Sequence, residues 1–410
     1  MLEGLYQTDY WLSRFLIKRG LGMMYLIAFA VTLTQFRPLL GQNGLLPVPR
    51  FLEKASFRQA PSLFQWHYSD RFLQGVAWTG LLLSLLALSG LSDYGPLWLS
   101  MLIWGMLWVL YLSIVNVGQV FYGFGWESLL LEAGFYALFL GPLHYHTPLL
   151  MIFIFRWLVF RVEFGAGLIK MRGDSCWRKL TCLNYHHETQ PMPNPLSRFF
   201  HRLPETFHKA ETFFNHVVQL GAVWLLFLPQ PLATIGAAAI ILSQLYLIIS
   251  GNYAWLNWMT LILAFSGISD SYLQPFVPFA MPAELSFPLY YQALVIMLAI
   301  VVAYLSIEPV KNMLSSRQRM NASFNPLHLV NTYGAFGSVT RKRYEIIIEG
   351  TTDASVTEET VWQPYEFKGK PGDPGRMPPQ CAPYHQRLDW QMWFAAMSNI
   401  HQNPWLLTLI

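Results

Sequence analysis

The stretch LWLSMLIWGMLWVLYLSIVNV (97–117) runs for 21 residues without an Asp, Glu, Lys or Arg. As a helix rising about 1.5 Å per residue it spans about 30 Å, the thickness of the hydrocarbon layer of a bilayer. The rest of the chain has little charge with which to keep such a segment in water. Charged residues make up 12% of 410, about half the share usual in soluble domains, while hydrophobic residues reach 54% and aromatics 16%.

Outward from this block, comparable apolar runs lie near 20–36, 72–92, 127–143, 149–170, 213–229, 232–250, 252–268 and 289–307. Together with 97–117 they predict an α-helical polytopic membrane protein of about nine spans. The blocks 127–143 and 213–229 sit near the lower length limit, and Pro229-Gln230-Pro231 separates the sixth from the seventh. Arg14, Lys18 and Arg19 precede the first block, and the chain continues into QFRPLLGQNGLLP with no small-residue cleavage site. The first block is therefore read as a retained signal anchor. The formal charge of +4 is spread thinly and gives no reason to expect nucleic acid.

Three segments are too polar for lipid: 37–71, 171–212 and 308–410. They divide the chain into a multispanning membrane domain, 1–307, with two polar loops, and a C-terminal domain, 308–410. Four spans lie between each consecutive pair of polar segments, and an even number of crossings returns a chain to the same side. All three are expected in one compartment, opposite the N-terminus. The bases before the first span favour a cytoplasmic N-terminus, whereas Arg37, Arg50, Lys54, Arg58 and Arg71 in the first loop pull the other way. Long loops weigh less in that rule, so the polar segments are read as external. In the last segment RYEIIIEG (343–350) and VWQPYEFKG (361–369) read as strands of a small β unit. RLDWQMWFAAMSNI (387–400) reads as an amphipathic helix with Trp390, Trp393, Phe394 and Met397 on one stripe, packed on that unit or on the bilayer surface.

Charges inside the apolar blocks are costly and must face the protein interior or a wet cavity. Arg156, Glu163 and Lys170 recur every seven residues and form one helical stripe, with Arg161 pointing elsewhere. Glu132, Asn116 and Gln119 lie in or near the preceding spans. These groups form either a structural polar network or a polar cavity that holds a lipid or quinone-like molecule.

RGDSCWRKLTCLNYHHETQPMPNP (172–195) concentrates polar chemistry. Cys176 and Cys182 are too far apart for the usual zinc spacings, and the adjacent His186 and His187 are poorly placed to share an ion, so no metal is expected. A C-x-x-C redox pair is absent. A Cys176–Cys182 disulfide is the candidate reading if this side is oxidising, with Cys381 left over; a nucleophilic Cys176 among Arg172, Arg178 and Lys179 is weaker. Arg172, Asp174, Trp177, Arg178, Tyr185, His186, His187 and Glu188 suit a protein-contact loop, stiffened at its exit by prolines. No G-x-S-x-G, P-loop or H-E-x-x-H occurs, so no catalytic or cofactor-binding residue is assigned.

The same loop, extended to RGDSCWRKLTCLNYHHETQPMPNPLSRFFH, resembles the signature loop of the lipase maturation factor family. FRPLLGQNGLLP (36–47), VNVGQVFYGFGWESLLLEAGF (115–135) and FRWLVFRVEFGAGLIK (155–170) resemble its membrane region. NTYGAFGSVTRKRYEIIIEGTTD, YEFKGKPGD and RLDWQMWFAA resemble its C-terminal domain. The resemblance implies a chaperone-like membrane factor that assists folding of secreted lipases, in the endoplasmic reticulum of animals and in the inner membrane of a bacterium. Its implied partners are membrane lipids and a secreted lipase or other client, without a cofactor. The second proline of the family's P-H-Q-P-R-L-D-W pattern is absent before Arg387, and the chain is expected to be truncated at NPWLLTLI. A fainter, fold-level similarity connects the membrane region with that of vitamin K-dependent carboxylases; it draws interest to the Glu163–Lys170 stripe as an analogy, not as evidence of activity.

Overall fold

Proline, glycine and short polar residues set the helix ends. The fold is described from a computed structural model covering residues 6, 7, 9–277, 279, 281, 282 and 284–410; the start of the expected membrane domain, 1–5 and 8, lies outside the described residues. Helix α1 (Trp11–Leu40) begins where the Asp270 carboxylate accepts from the Trp11 and Leu12 amides at 2.7 and 3.0 Å. An anion there satisfies amides that have no partner inside the helix. Helix α2 (Asp70–Ser89) is capped by Ser69, whose hydroxyl accepts from the Phe72 amide at 3.1 Å, and it ends at Gly90 with φ +91°. Gly22 of α1 faces the α2 backbone, where a β-carbon would come within 2.7 Å of the Leu88 nitrogen. The small residue lets the two helices approach closely, as is common in lipid.

Helix α3 (Leu97–Val117) starts after Pro96, and α4 (Gly125–Ala137) follows a short turn. Helix α5 (Leu149–Arg172) runs from Pro148 to Gly173. Helices α6 (Leu183–Thr189) and α7 (Glu205–His216) form the polar loop. Helix α8 (Leu232–Ser250), α9 (Leu256–Ala264), α10 (Leu289–Leu305) and α11 (Ile307–Leu314) complete the bundle, and α12 (Arg387–Ala396) lies near the end.

Among the described residues, five helical stretches are long and apolar enough to cross a membrane: α1, α2, α3, α8 and the continuous Leu289–Leu314. They leave Leu82, Trp98, Leu242, Ile300 and Tyr304 exposed, as helices facing lipid do. The remaining apolar blocks take other forms. Block 149–170 is one helix but carries Arg156, Arg161, Glu163 and Lys170. Block 127–143 is the 13-residue α4, buried on nearly every face, and 252–268 is the 9-residue α9 with a following turn. Such helices reach about 20 Å or less. Block 213–229 breaks into the end of α7, a π-helical turn and a 3-10 turn.

The bases before the first block are not free in solvent. Lys18 and Arg19 both pair with Asp93 beyond α2, and Arg14 donates to the carbonyls of Leu140, Leu143 and Tyr145 at 3.3, 3.3 and 2.9 Å. They hold α1 to its neighbours.

The C-terminal region differs from expectation in extent. The two predicted strands do meet in antiparallel register, but only at Glu349↔Pro364 and Gly350↔Gln363. Pro364 takes the position opposite Glu349 where no amide hydrogen is required, and the Tyr365 amide beyond it donates to the Ile348 carbonyl at 2.8 Å. A second short pair joins Ala322–Ser323 to Asn331–Thr332. Helix α12 meets the end of the second predicted strand, where the Asp389 carboxylate accepts from the Gly369 and Lys370 amides at 2.6 and 3.0 Å, and also the membrane region: Trp390 packs on Trp126 with ring centroids 4.9 Å apart, and Phe394 stays partly exposed. Arg387, fully buried, donates to Glu127 at 2.7 Å and to the Phe121 carbonyl at 2.7 Å. The C-terminal segment is thereby docked into the membrane region.

Candidate functional site

The polar loop is built from short-range devices. Asp174 caps a single helical turn by accepting from the Cys176 amide at 2.9 Å, and Cys176 is joined to Cys182 by a disulfide, Cα atoms 4.8 Å apart. Cys381 is a free thiol. Trp177 sits under this bridge, 3% exposed, donating its indole N–H to the Phe336 carbonyl at 2.8 Å. The ring also takes the Lys170 ammonium on its face at 4.8 Å.

Not all of the expected contact loop is surface. Trp177, His186 and His187 are buried, which corrects the expectation that they form a contact face; Arg172, Arg178 and Glu188 are exposed, with Asp174 and Tyr185 between. The Tyr253 hydroxyl lies 2.8 Å from His186 Nε2, and burial, followed by the neighbouring His187, pushes the His186 pKa down to about 3, leaving a neutral ring. Glu188 pairs with His201 at 3.3 Å at the surface.

This loop and the C-terminal region are stitched together. The Asp174 amide donates to the Gly337 carbonyl at 2.8 Å, Arg341 lies 3.5 Å from the Asp174 carboxylate, and Arg343 reaches the carbonyls of Gln190 and Pro191. Asn252 bridges the Pro193 and Pro379 carbonyls at 3.0 and 2.9 Å.

The buried charges separate into two groups. Glu132 pairs with Arg161 and accepts from Tyr136, Tyr333, the Asn331 amide and the Asn331 side chain at 2.7 to 2.9 Å. That carboxylate is fully satisfied by α4, α5 and the C-terminal segment. Asn116 donates to the Pro61 and Pro326 carbonyls at 2.9 and 3.0 Å, Gln119 to the Leu46 carbonyl at 2.9 Å, and Arg156 to the Ser266 carbonyl at 2.9 Å. These residues join helices and loops.

Glu163 and Lys170 are different. Neither forms an ion pair among the described residues; Gln244 donates to Glu163 at 2.6 Å, and Lys170 donates to Asn215 at 2.7 Å and Gln219 at 3.0 Å. The second Glu163 oxygen has no hydrogen-bond partner among the described residues. Both side chains line a cavity of about 690 Å³ reaching from α5 to the polar loop and to Trp390 of α12. A predominantly apolar wall with a few converging polar groups is the usual make-up of a small-molecule pocket.

Two further residues, Glu211 in the cavity wall and His208 beside it on the same helix, escaped the sequence reading. His208 and Glu211 lie one turn apart on α7, Nδ1 to Oε2 3.1 Å, and His187 Nε2 of α6 lies 3.6 Å from the same Glu211 oxygen. Only the H-x-x-E spacing hinted at a shared helix face, and no local motif joined it to His187. The Lys18–Asp93 and Glu127–Arg387 pairs were missed for the same reason: their partners are 75 and 260 residues apart.

Residues 12–275 match the family described as lipase maturation factor transmembrane domain, and 329–410 match the lipase maturation factor C-terminal domain. The chain is 41% identical over 442 residues to lipase maturation factor 1 of Mus musculus, covering 99% of this chain and 77% of that protein. Identity to lipase maturation factor 1 of Homo sapiens is 41% over 440 residues, with 99% and 78% covered. Lipase maturation factor 2 of Homo sapiens is 28% identical over 536 residues, with 97% and 74% covered. No solved structure matches. With both domain signatures present in order and near-complete coverage, the chain is an integral membrane protein that belongs to the lipase maturation factor family.

Proposed function

We propose that this protein is a membrane-bound maturation factor that assists the folding of a secreted lipase. Family membership over 99% of the chain, through relatives named for that role, carries the reading. Arg172, Arg178 and Glu188 on the loop, beside the C-terminal segment held to it by Asp174–Gly337 and Arg343–Gln190, are proposed to meet the client. Exposed arginines on a rigid, disulfide-closed support suit recognition better than catalysis. The division into a membrane domain, 1–307, and a C-terminal domain, 308–410, belongs to this proposal. So do all nine apolar blocks as bilayer segments, with both polar loops and the C-terminal domain on one external, oxidising side. That side is the periplasm if the membrane is a bacterial inner membrane and the lumen if it is the endoplasmic reticulum.

Co-purification from native membranes tests the client reading. A secreted lipase should be retained by the wild-type chain and lost from the R172A/R178A double variant, which removes surface charge without touching the buried network. Equal recovery with both chains would reject this loop as the contact.

A second reading has one observation in its favour: Glu163 and Lys170, without ionic partners among the described residues, line the apolar cavity. It makes the chain a membrane enzyme or carrier for an amphiphile. Mass spectrometry of the detergent-purified protein would then find a lipid or quinone that K170M loses; an empty wild-type chain would sink it.

A further inference from the structure

We propose that His187, His208 and Glu211 form a binding site for a zinc-class divalent cation at the edge of the cavity. The ligand atoms of the three residues lie within 4.8 Å of one another, and the side chains are at most 6% exposed. Tetrahedral zinc with bonds of about 2.0–2.1 Å separates its ligand atoms by roughly 3.3 Å. The two measured edges, 3.6 Å from His187 to Glu211 and 3.1 Å from His208 to Glu211, bracket that spacing. The third edge, between the two histidines, is at most 4.8 Å.

A second observation points to a ligand. Apart from the 3.6 Å approach of Nε2 to Glu211, neither ring nitrogen of His187 has a hydrogen-bond partner among the described residues, although the residue is only 2% exposed. A buried imidazole normally satisfies at least one nitrogen, and leaving both open costs free energy. A cation would supply that partner. Glu211 is oriented from its other side by the Tyr246 hydroxyl, the type of outer support that holds a ligating carboxylate in place. Two nitrogens and one carboxylate favour zinc over magnesium or calcium, which prefer all-oxygen sites. The set uses one of the adjacent histidines; His186 turns away to Tyr253. Three protein ligands leave a fourth position for water, and His187 and Glu211 both line the cavity. None of this depends on the client being a lipase.

The test uses the full chain in detergent, stripped with EDTA, reloaded with zinc chloride, desalted and measured by elemental mass spectrometry. The wild type should retain about one zinc per chain. H187A and H208A should each lower retention by about tenfold or more, since each removes one of three ligands. H201A, which alters only the surface pair with Glu188, should retain zinc. Cobalt provides a readout that needs no variant: the wild type loaded with Co²⁺ should show the visible bands of a four-coordinate ion, abolished by excess zinc. A wild-type chain that retains no zinc and shows no cobalt bands overturns the proposal. Undiminished zinc in folded H187A and H208A overturns it equally, because the ion would then sit elsewhere.

Discussion

At the scale of single residues, two buried charge clusters join the C-terminal segment to the membrane region, besides the Lys18–Arg19–Asp93 group at α1. Glu132 gathers Arg161, Tyr136, Asn331 and Tyr333, joining two helices of the membrane region to the C-terminal segment. Removing one member strands the other in a low-dielectric interior, at a cost of about 3–5 kcal/mol. R161M should therefore lower the melting temperature of the purified protein far more than R172M, which loses only an exposed contact with Gln318. Equal melting temperatures would show that the network is dispensable. The second cluster centres on His385, fully buried between Trp126, Trp255 and Trp390, with Glu127 and Arg387 as its charged neighbours. Burial, then Arg387, lowers its pKa to about 4 against the opposing pull of Glu127. An unfolded histidine titrates near 6.5, so between about pH 6.5 and 4 the unfolded state binds the extra proton. This contribution is present above about pH 6.5 and is lost as pH falls, by up to about 1.4 kcal/mol per pH unit. Melting temperatures at about pH 7 and pH 5 should differ less in H385Q than in the wild type; an unchanged difference would exclude His385 as its source. The sequence exposed Glu132, Arg161 and Glu163 because an ionisable group in an apolar run stands out. It hid Asp93, Glu127 and Arg387, which lie at run ends or in the polar tail where charge is unremarkable.

At the scale of elements, the polar loop is held by chain closure and by a buried tryptophan. Closing a loop this short restricts the unfolded chain by about 2 kcal/mol in the entropy description. C176S/C182S should expose the 172–195 segment to limited proteolysis while leaving α1 to α3 protected, since those helices make no extensive contact with it among the described residues. Resistance equal to that of the wild type would assign the loop's order to Trp177 alone. Periodicity and length made α1, α2, α3, α8 and α10 readable in the sequence. For α4 and α9 they located the apolar runs but not the helix lengths, 13 and 9 residues, because other helices enclose these elements. They failed in 213–229, where composition suggested one helix and the chain instead changes winding twice. The β unit was readable as alternation but not in extent: pairing is confined to Glu349–Gly350 and Gln363–Pro364 with one further bond from the Tyr365 amide to the Ile348 carbonyl.

At the scale of the whole molecule, the polar loop and the C-terminal segment share one surface while the apolar helices face outward. Reporter fusions near residue 190 and at the C-terminus should therefore read the same compartment; opposite readings would mean that the number of crossings between them is odd. The resemblance over the whole chain was legible from long motifs such as RGDSCWRKLTCLNYHHETQPMPNP. The cavity was not, since its walls come from α5, α7, α8 and α12 and exist only once these pack. The most direct test of the central claim is the specific activity of a secreted lipase, per milligram of lipase protein, made in cells with and without this chain. Activity should fall severalfold in its absence with synthesis unchanged, and return when the wild-type chain is restored. Full specific activity for every secreted lipase in cells that lack the protein would contradict the account.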